Sequence, residues 1–249
     1  MNTSDRHDRK IDITVVLNAH REGYLVAQSL RSARAALTEA LNACISAEII
    51  VVLDCPDEVT RNVVEAAIQP AERVIVLNFE DLSRARNAGV EAALGRTVAF
   101  LDGDDLFGSA WLRQAFAILK DFSFQDVVLH PQLSVLFGEE MAIWEHIGME
   151  NPDYRMENMI FENYFTSLAM TTADVLKRFP YRSISFHGGF GYEDWSWNCE
   201  TSYHGVRHFV VPETLHAIRR RPSSLLGKSR ASCLLRIPTP VLGSTPLSE

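Results

Sequence analysis

Ala99-Phe100-Leu101-Asp102-Gly103-Asp104-Asp105 is an apolar run that stops abruptly at three carboxylates gathered around one glycine. Val98 to Leu101 reads as a buried strand, so the carboxylates fall where a strand gives way to a loop. In open parallel sheets, the loops beyond the carboxyl ends of the strands are where ligands bind. Three crowded acids repel one another unless a cation or a solvated turn relieves them. A hard divalent cation takes oxygen ligands, and Mg²⁺ is commonly held by one or two carboxylates together with substrate phosphates. The stretch therefore has two readings, a solvated Asp-Gly turn or a metal–diphosphate site.

The sequence before it supplies the context. Ile11 to Leu17, Glu48 to Leu53, Arg73 to Leu77 and Thr97 to Leu101 are short runs rich in β-branched residues. Between them lie segments of helical periodicity. The first spans about Tyr24 to Asn42, with Val26, Leu30, Ala33, Leu37 and Leu41 on one face. The second runs to Ile68 behind a cap at Asp57, and the third from Leu82 to Leu94 with Gly95 ending it. Such alternation predicts parallel strands with crossover helices, a doubly wound α/β layer. Every strand end then carries polar candidates: His20 and Glu22, Asp54, Asn78, and Asp102 to Asp105.

The second half has another texture. A helix is expected from Ser109 to Lys120, capped by Ser109. Strands are expected at 126–129 and 132–137, separated by His130-Pro131, and again at 165–170, 207–211 and 214–218. The segment 139–154 reads as irregular, and 172–179 as a short helix. Phe186-His187-Gly188-Gly189-Phe190-Gly191-Tyr192 is a glycine-rich aromatic loop, after which Glu193-Asp194-Trp195-Ser196-Trp197 opens a helix to about His204. The expected organisation is a frayed lead-in over residues 1–10 and a single domain over 11–227, with halves 11–107 and 108–227. A loosely held tail over 228–249 completes it, in which Leu234 and Leu235 could dock.

Length and composition narrow the class. The 249 residues are 47% hydrophobic and 22% charged, ordinary globular usage with ample material for a core. A net charge of −8 argues against a nucleic-acid partner, since polyanion binding needs a basic face, but leaves room for one nucleotide held through a metal. The four cysteines have no CxxC spacing, which points to reduced thiols and no zinc framework. The polar opening MNTSDRHDRK has no secretory pattern, and no apolar run is long enough for a bilayer. A soluble, cytoplasmic protein is expected, possible association with the inner membrane face included.

Four motifs in order resemble the family-2 glycosyltransferases of the GT-A fold, over about Ile11 to Ser224. They are Glu48 to Asp57 (EIIVVLDCPD), Leu82 to Gly89 (LSRARNAG), Phe100 to Asp105 (FLDGDD, the DxD motif) and Glu193-Asp194-Trp195 (the E-D motif). The chain departs from the usual pattern at Leu53, where a first acid is usual, and at Cys55-Pro56 in place of glycine-serine. It departs again in the first loop, where Asn18-Ala19-His20-Arg21 stands for Pro-Thr-Tyr-Asn.

The resemblance implies an inverting transfer of a sugar from a nucleotide-diphospho-sugar, UDP-sugar favoured, to a hydroxyl on a glycan or lipid-linked sugar. It also implies a divalent cofactor, Mn²⁺ or Mg²⁺, and a role in surface polysaccharide synthesis. On that resemblance Asp104 is the direct metal ligand and Asp102 faces the ribose or the metal, with Asp105 as a supporting residue. Asp54 would accept from a uracil-like base, Ala19 would contact it through backbone, and His20 would stack on it, with Glu22 nearby. Arg86 would pair with the diphosphate or the DxD carboxylates, and Asn87 would join the donor site or cross-link backbone beneath it. Gly188 and Gly189 would let backbone approach a substrate.

Asp194 is the expected general base, Glu193 its alternative, and Trp195 and Trp197 form an acceptor-side platform or core. On the same resemblance, His216 with Arg219 to Arg221 and Ser223-Ser224 falls where related enzymes carry a late segment that closes over the diphosphate. His130, His146, His204 and His208 have no metal-ligand spacing. Two other readings stay open: a non-catalytic nucleotide-sugar-binding protein of the same fold, and a phosphohydrolase using the carboxylate cluster.

Overall fold

Alternate residues of the first strand feed opposite cores, and this sets the layers. In a computed structural model that describes residues 11–183, 189–221 and 225–239, β1 (Ile11–Ala19) is central. Its Ile13, Val15 and Leu17 enter one core with α1 (Leu25–Asn42), while Val16 enters the other. A strand covered by helices on both faces needs both sets of side chains apolar, which is why it reads as a continuous hydrophobic run.

The chain continues through β2 (Ala47–Asp54), α2 (Glu58–Ala67), β3 (Arg73–Leu77), α3 (Leu82–Ala92), β4 (Gly95–Asp102), β5 (Leu106–Phe107) and α4 (Trp111–Asp121). Next come β6 (Val127–Gly138), β7 (Ala142–Glu145), a 3₁₀ turn (Met156–Ile160), β8 (Met170–Thr172) and α5 (Ala173–Arg178). The last elements are β9 (Phe190–Gly191), α6 (Glu193–Tyr203), β10 (Arg207–Arg220), α7 (Leu225–Ala231) and β11 (Leu235–Arg236). The main sheet runs β3-β2-β1-β4-β8-β6-β10-β5, with β7 paired to β6. Its first four strands are parallel, as expected, and β8 then pairs antiparallel with both β4 and β6. Helices α1, α2 and α4 cover one face, and α3, α5 and α6 contribute to the core on the other.

The second half differs from the expectation in several places. The strands expected on either side of His130-Pro131 are one strand, β6. Proline has no N–H for a ladder, but its register partner Val211 sits where β10 bulges, before pairing resumes at Leu215. The same bulge joins the two expected late strands into one, with Glu213 taking a positive φ of 57°. The segment read as irregular contributes β7, a hairpin partner of β6. The strand expected at 165–170 is β8, starting only at Met170, and Thr172 caps α5 by accepting the Val175 N–H at 3.3 Å. Helix α4 begins behind Ala110 rather than being capped by Ser109. Past Lys228 the chain is held rather than loose as far as β11, which pairs with β9, and Leu234 is buried. Among the described residues, no helix is long and apolar enough to cross a membrane.

Between β6, β10 and α6 lies a set of buried histidines whose proton positions follow from their partners. The Thr201 hydroxyl donates to the Trp197 carbonyl at 2.8 Å, so its oxygen accepts from His208 Nε2–H at 2.9 Å. The bare His208 Nδ1 then accepts from His130 Nε2–H at 2.9 Å, leaving His130 Nδ1 without a proton and, among the described residues, without a partner. His146 Nδ1–H donates to the Tyr164 carbonyl at 2.9 Å, and its Nε2 accepts from Ser134 at 2.7 Å. Burial lowers His208 to about 3 and His146 to about 4, and pushes His130 well below the usual imidazole range.

Unfolded histidine titrates near 6.5, so the unfolded chain binds more protons as pH falls from there toward 4. The histidine contribution to stability is complete above pH 6.5 and is lost through that window. Buried carboxylates with raised pKa values, described below, pull the other way over the same range. The histidine part is therefore read as a difference: His146→Asn, which retains a donor for the Tyr164 carbonyl, is expected to lose less stability than the parent between pH 7.5 and 5. Urea unfolding at the two pH values measures it.

Candidate active site

The carboxyl ends of β1, β2 and β4 open into a cleft of about 790 Å³ whose far wall is the start of α6. Ala19, His20, Glu22, Asp54, Arg86, Asp102, Asp104, Glu193, Asp194 and Trp195 all line it. Two glycines position the frame. At Gly89 an added Cβ would lie 2.4 Å from Val16 Cγ1, so α3 packs directly on the sheet only because that residue is glycine. At Gly103 it would lie 3.0 Å from the Asn18 carbonyl oxygen, so the carboxylate loop can press against the end of β1.

Arg86 projects from α3 to the cleft floor and is 1% exposed. Its Nη1 donates to Glu193 Oε1 at 3.0 Å, and its Nη2 reaches both oxygens of Asp102 at 3.2 Å. The guanidinium carbon also lies 5.2 Å from the centre of the Tyr181 ring. The planar fork thus joins the E-D segment to the DxD segment, and the two carboxylates hold it charged despite burial. Ser167 donates to Asp102 from the other side at 3.3 Å.

Burial raises the pKa of Asp104, with repulsion from Asp102 adding to it, while Arg221 and Arg219 oppose the rise. Those cations stand 3.2 and 3.8 Å from its carboxylate, and Arg221 also lies 3.6 Å from Glu22. Glu22 is raised mainly by burial and accepts the His20 N–H. Asp105 is raised well above the usual range by burial and by Asp102 and Asp104, and accepts the Arg219 N–H at 2.7 Å. Asp54 accepts the Phe79 and Asp81 N–H groups at 2.6 and 3.0 Å, so it pins the loop after β3 as well as facing the cleft. His20 donates from Nδ1 to the Asp54 carbonyl.

Helix α6 divides its two acids. Glu193 turns inward to Arg86, and burial with Asp194 beside it lifts Glu193 to about 7. Asp194 keeps a face to the cleft, is raised by burial against the pull of Arg86, and accepts the Trp195 N–H at 2.8 Å.

Four expected site residues lie elsewhere. Asn87 is a clamp: its Nδ2 donates to the Tyr181 carbonyl at 2.8 Å and its Oδ1 accepts the Tyr181 N–H at 3.0 Å. Trp197 is core, 3% exposed, stacked on Tyr181 and donating to the Phe179 carbonyl at 2.6 Å. Gly189 does not line the cleft, and its carbonyl accepts from Leu235 at 2.8 Å. His216 packs between Phe107 and Trp111 at ring distances of 5.0 and 4.7 Å, away from the arginines that follow it. His187, Gly188, Ser223 and Ser224 lie outside the described residues.

Asn18, Trp144, Phe161, Thr166, Ser167 and Tyr192 line the cleft without having been singled out from sequence. Among the described residues no three His, Cys, Asp or Glu side chains form a ready metal cluster.

Residues 14–184, more than half of the sequence, match the model of glycosyl transferase family 2. The chain belongs to glycosyltransferase family 2. This family-2 chain is 35% identical over 102 residues to the succinoglycan biosynthesis protein ExoO of Rhizobium meliloti, covering 39% of this chain and 27% of that protein. It is 43% identical over 92 residues to the putative teichuronic acid biosynthesis glycosyltransferase TuaG of Bacillus subtilis, covering 34% of this chain and 36% of that one. Each match thus takes in roughly a third or less of the curated relative's own length. In three dimensions it resembles S. aureus TarS 1–349, solved with UDP-GlcNAc, at TM-score 0.61 and 18% identity, over 87% of this chain and 60% of that one. The likeness establishes the GT-A-like fold.

Proposed function

We propose that the protein is an inverting, metal-dependent glycosyltransferase that takes a sugar from a nucleotide-diphospho-sugar, UDP-sugar favoured, and places it on a hydroxyl of a growing glycan or lipid-linked sugar. The observation that supports this reading is that one cleft brings together a charged end, Asp102, Asp104 and Arg221, and a separate carboxylate, Asp194, at the start of α6. Family membership and the biosynthetic roles in the names of ExoO and TuaG support a place in polysaccharide synthesis.

In the proposed reaction the acceptor oxygen attacks the anomeric carbon, whose bond to the diphosphate breaks with the electron pair leaving on phosphate. Asp194 takes the acceptor's proton, and its raised pKa makes it a better base than an exposed aspartate. Arg86 holds Asp102 and Glu193 in place. A divalent ion fits the donor set, because Asp104 and Asp102 are hard oxygen ligands whose mutual repulsion a cation relieves, and such ions are completed by substrate phosphates. Asp104 would be its principal ligand, and the ion would supply charge stabilisation for the leaving diphosphate. Arg219 and Arg221 stand ready to pair with the same phosphates. Trp195, Trp144 and Phe161, the last 82% exposed at the cleft, would give an acceptor sugar its apolar contacts in place of Trp197.

The test is incubation with Mn²⁺ and a panel of nucleotide sugars. Slow release of nucleoside diphosphate is expected from one of them, lost at least 10²-fold in Asp104→Ala, an order set by the loss of a principal electrostatic contact. Donor binding without turnover on any acceptor would instead indicate a binding protein, and phosphate release from simple esters a hydrolase.

A further inference from the structure

Asn18 is the last but one residue of β1, and it is buried at the cleft floor with 4% of its surface exposed. Among the described residues, neither its Oδ1 nor its Nδ2 has a hydrogen-bond partner. Leaving both ends of a carboxamide unpaired costs folding free energy, because each lost its bonds to water. Native chains keep such groups where something else completes them. Its place in the sheet puts a partner in the cleft within reach. Asn18 is the register partner of Asp102 on one side and of Val52 on the other, two residues before Asp54. Neighbouring strands lie about 4.8 Å apart, and partners in register point to the same face. Asn18 therefore shares the α3 face with Asp102 and Val16, between the ends of β2 and β4, and lines the cleft.

We propose that the Asn18 carboxamide reads sugar hydroxyls on the donor, those of the nucleotide's ribose. A hydroxyl both donates and accepts, so a pair of neighbouring hydroxyls can satisfy Oδ1 and Nδ2 together. The place beside Asp102 favours the ribose, and the transferred sugar carries the same chemistry. The assignment rests on the nucleotide-sugar reading above and adds a residue that discriminates between donors.

The experiment uses the full chain with Asn18→Val, which suits a strand and leaves no buried amide unpaired. Calorimetric affinities are compared for UDP, 2′,3′-dideoxy-UDP and UDP-GlcNAc with Mn²⁺, alongside melting without ligand. The free variant is expected to melt at or above the parent temperature, and UDP binding to weaken about tenfold, the size of one or two hydrogen bonds. The dideoxy nucleotide is expected to bind parent and variant alike. Weakening confined to UDP-GlcNAc would move the contact to the transferred sugar and overturn the ribose assignment. Unchanged affinities, an equal penalty on the dideoxy nucleotide, or a large fall in the variant's melting temperature would overturn the proposal, the last by showing Asn18 to be structural. If the parent binds no nucleotide, the nucleotide-sugar reading fails, and this assignment with it.

Discussion

Asp194→Asn is expected to lower sugar transfer by about 10²–10⁴-fold, the range for removal of a positioned general base, while UDP affinity stays within about twofold of the parent. The substitution keeps the shape of the side chain and the oxygen that accepts the Trp195 N–H, so α6 should keep its start. What it removes is basicity. Burial raises the Asp194 pKa, which favours the proton-bound form after transfer, and Arg86 opposes the rise. The rate should consequently fall as pH drops through the raised Asp194 pKa, and that acid limb should vanish from the residual activity of the variant. Single-turnover transfer against pH, with calorimetry for UDP, measures both. An unchanged turnover in Asp194→Asn would remove Asp194 from the proton transfer. Glu193 would inherit the role only if Glu193→Gln lost activity while retaining its fold, which its contact with Arg86 makes a demanding control.

The parts of this arrangement legible from sequence are those where local chemistry and fold agree. The runs IDITVVL, EIIVVL and RVIVL could only be strands between helical segments, and the parallel half follows from their alternation. Asp102, Asp104 and Asp194 stand out in the sequence because they fall at a strand end and a helix start within ordered motifs, and the fold brings all three to one cleft. The residues whose two readings the sequence leaves open are those whose meaning depends on a distant partner. Asn87 and Trp197 sit in motifs that bear on the cleft, yet both are committed to the segment around Phe179 to Tyr181, which no spacing along the chain reveals. Asn18 was passed over for the opposite reason: an asparagine ending a strand looks like a loop residue until the sheet shows it buried with nothing to bond. Phe161 and Thr166 belong to a connection with no periodicity, so only their position beside the cleft marks them.

Arg86→Met is expected to destabilise the protein by about 3–5 kcal/mol, the usual cost of removing one partner from a buried ion pair. The guanidinium is 1% exposed and answers to two carboxylates from distant segments, Glu193 at 6% and Asp102 at 24% side-chain exposure. Without it, Glu193 and Asp102 share a low-dielectric floor with Asp194 and lose the cation they both face, while Arg219 and Arg221 stand against Asp104. Arg86→Lys should fall between parent and Met, since a point charge cannot fork to both partners. The sign of the pH dependence follows from the orphaned acids. Their folded pKa values would rise further above the unfolded ones, Glu193 from about 7, so the folded variant binds more protons than the unfolded chain. The deficit should therefore be largest above pH 7.5 and shrink as pH falls toward 5. Urea unfolding of parent and variant across that range checks both size and slope. The double variant Arg86→Met with Glu193→Leu separates the two possible origins of the loss. Recovery of a kilocalorie or more over Arg86→Met would mean that the orphaned carboxylate, rather than the missing packing of the guanidinium against Tyr181, is what the fold cannot tolerate. No recovery would assign the cost to packing, and Arg86 would then be a structural pillar whose alignment of the DxD and E-D segments is incidental to its stability.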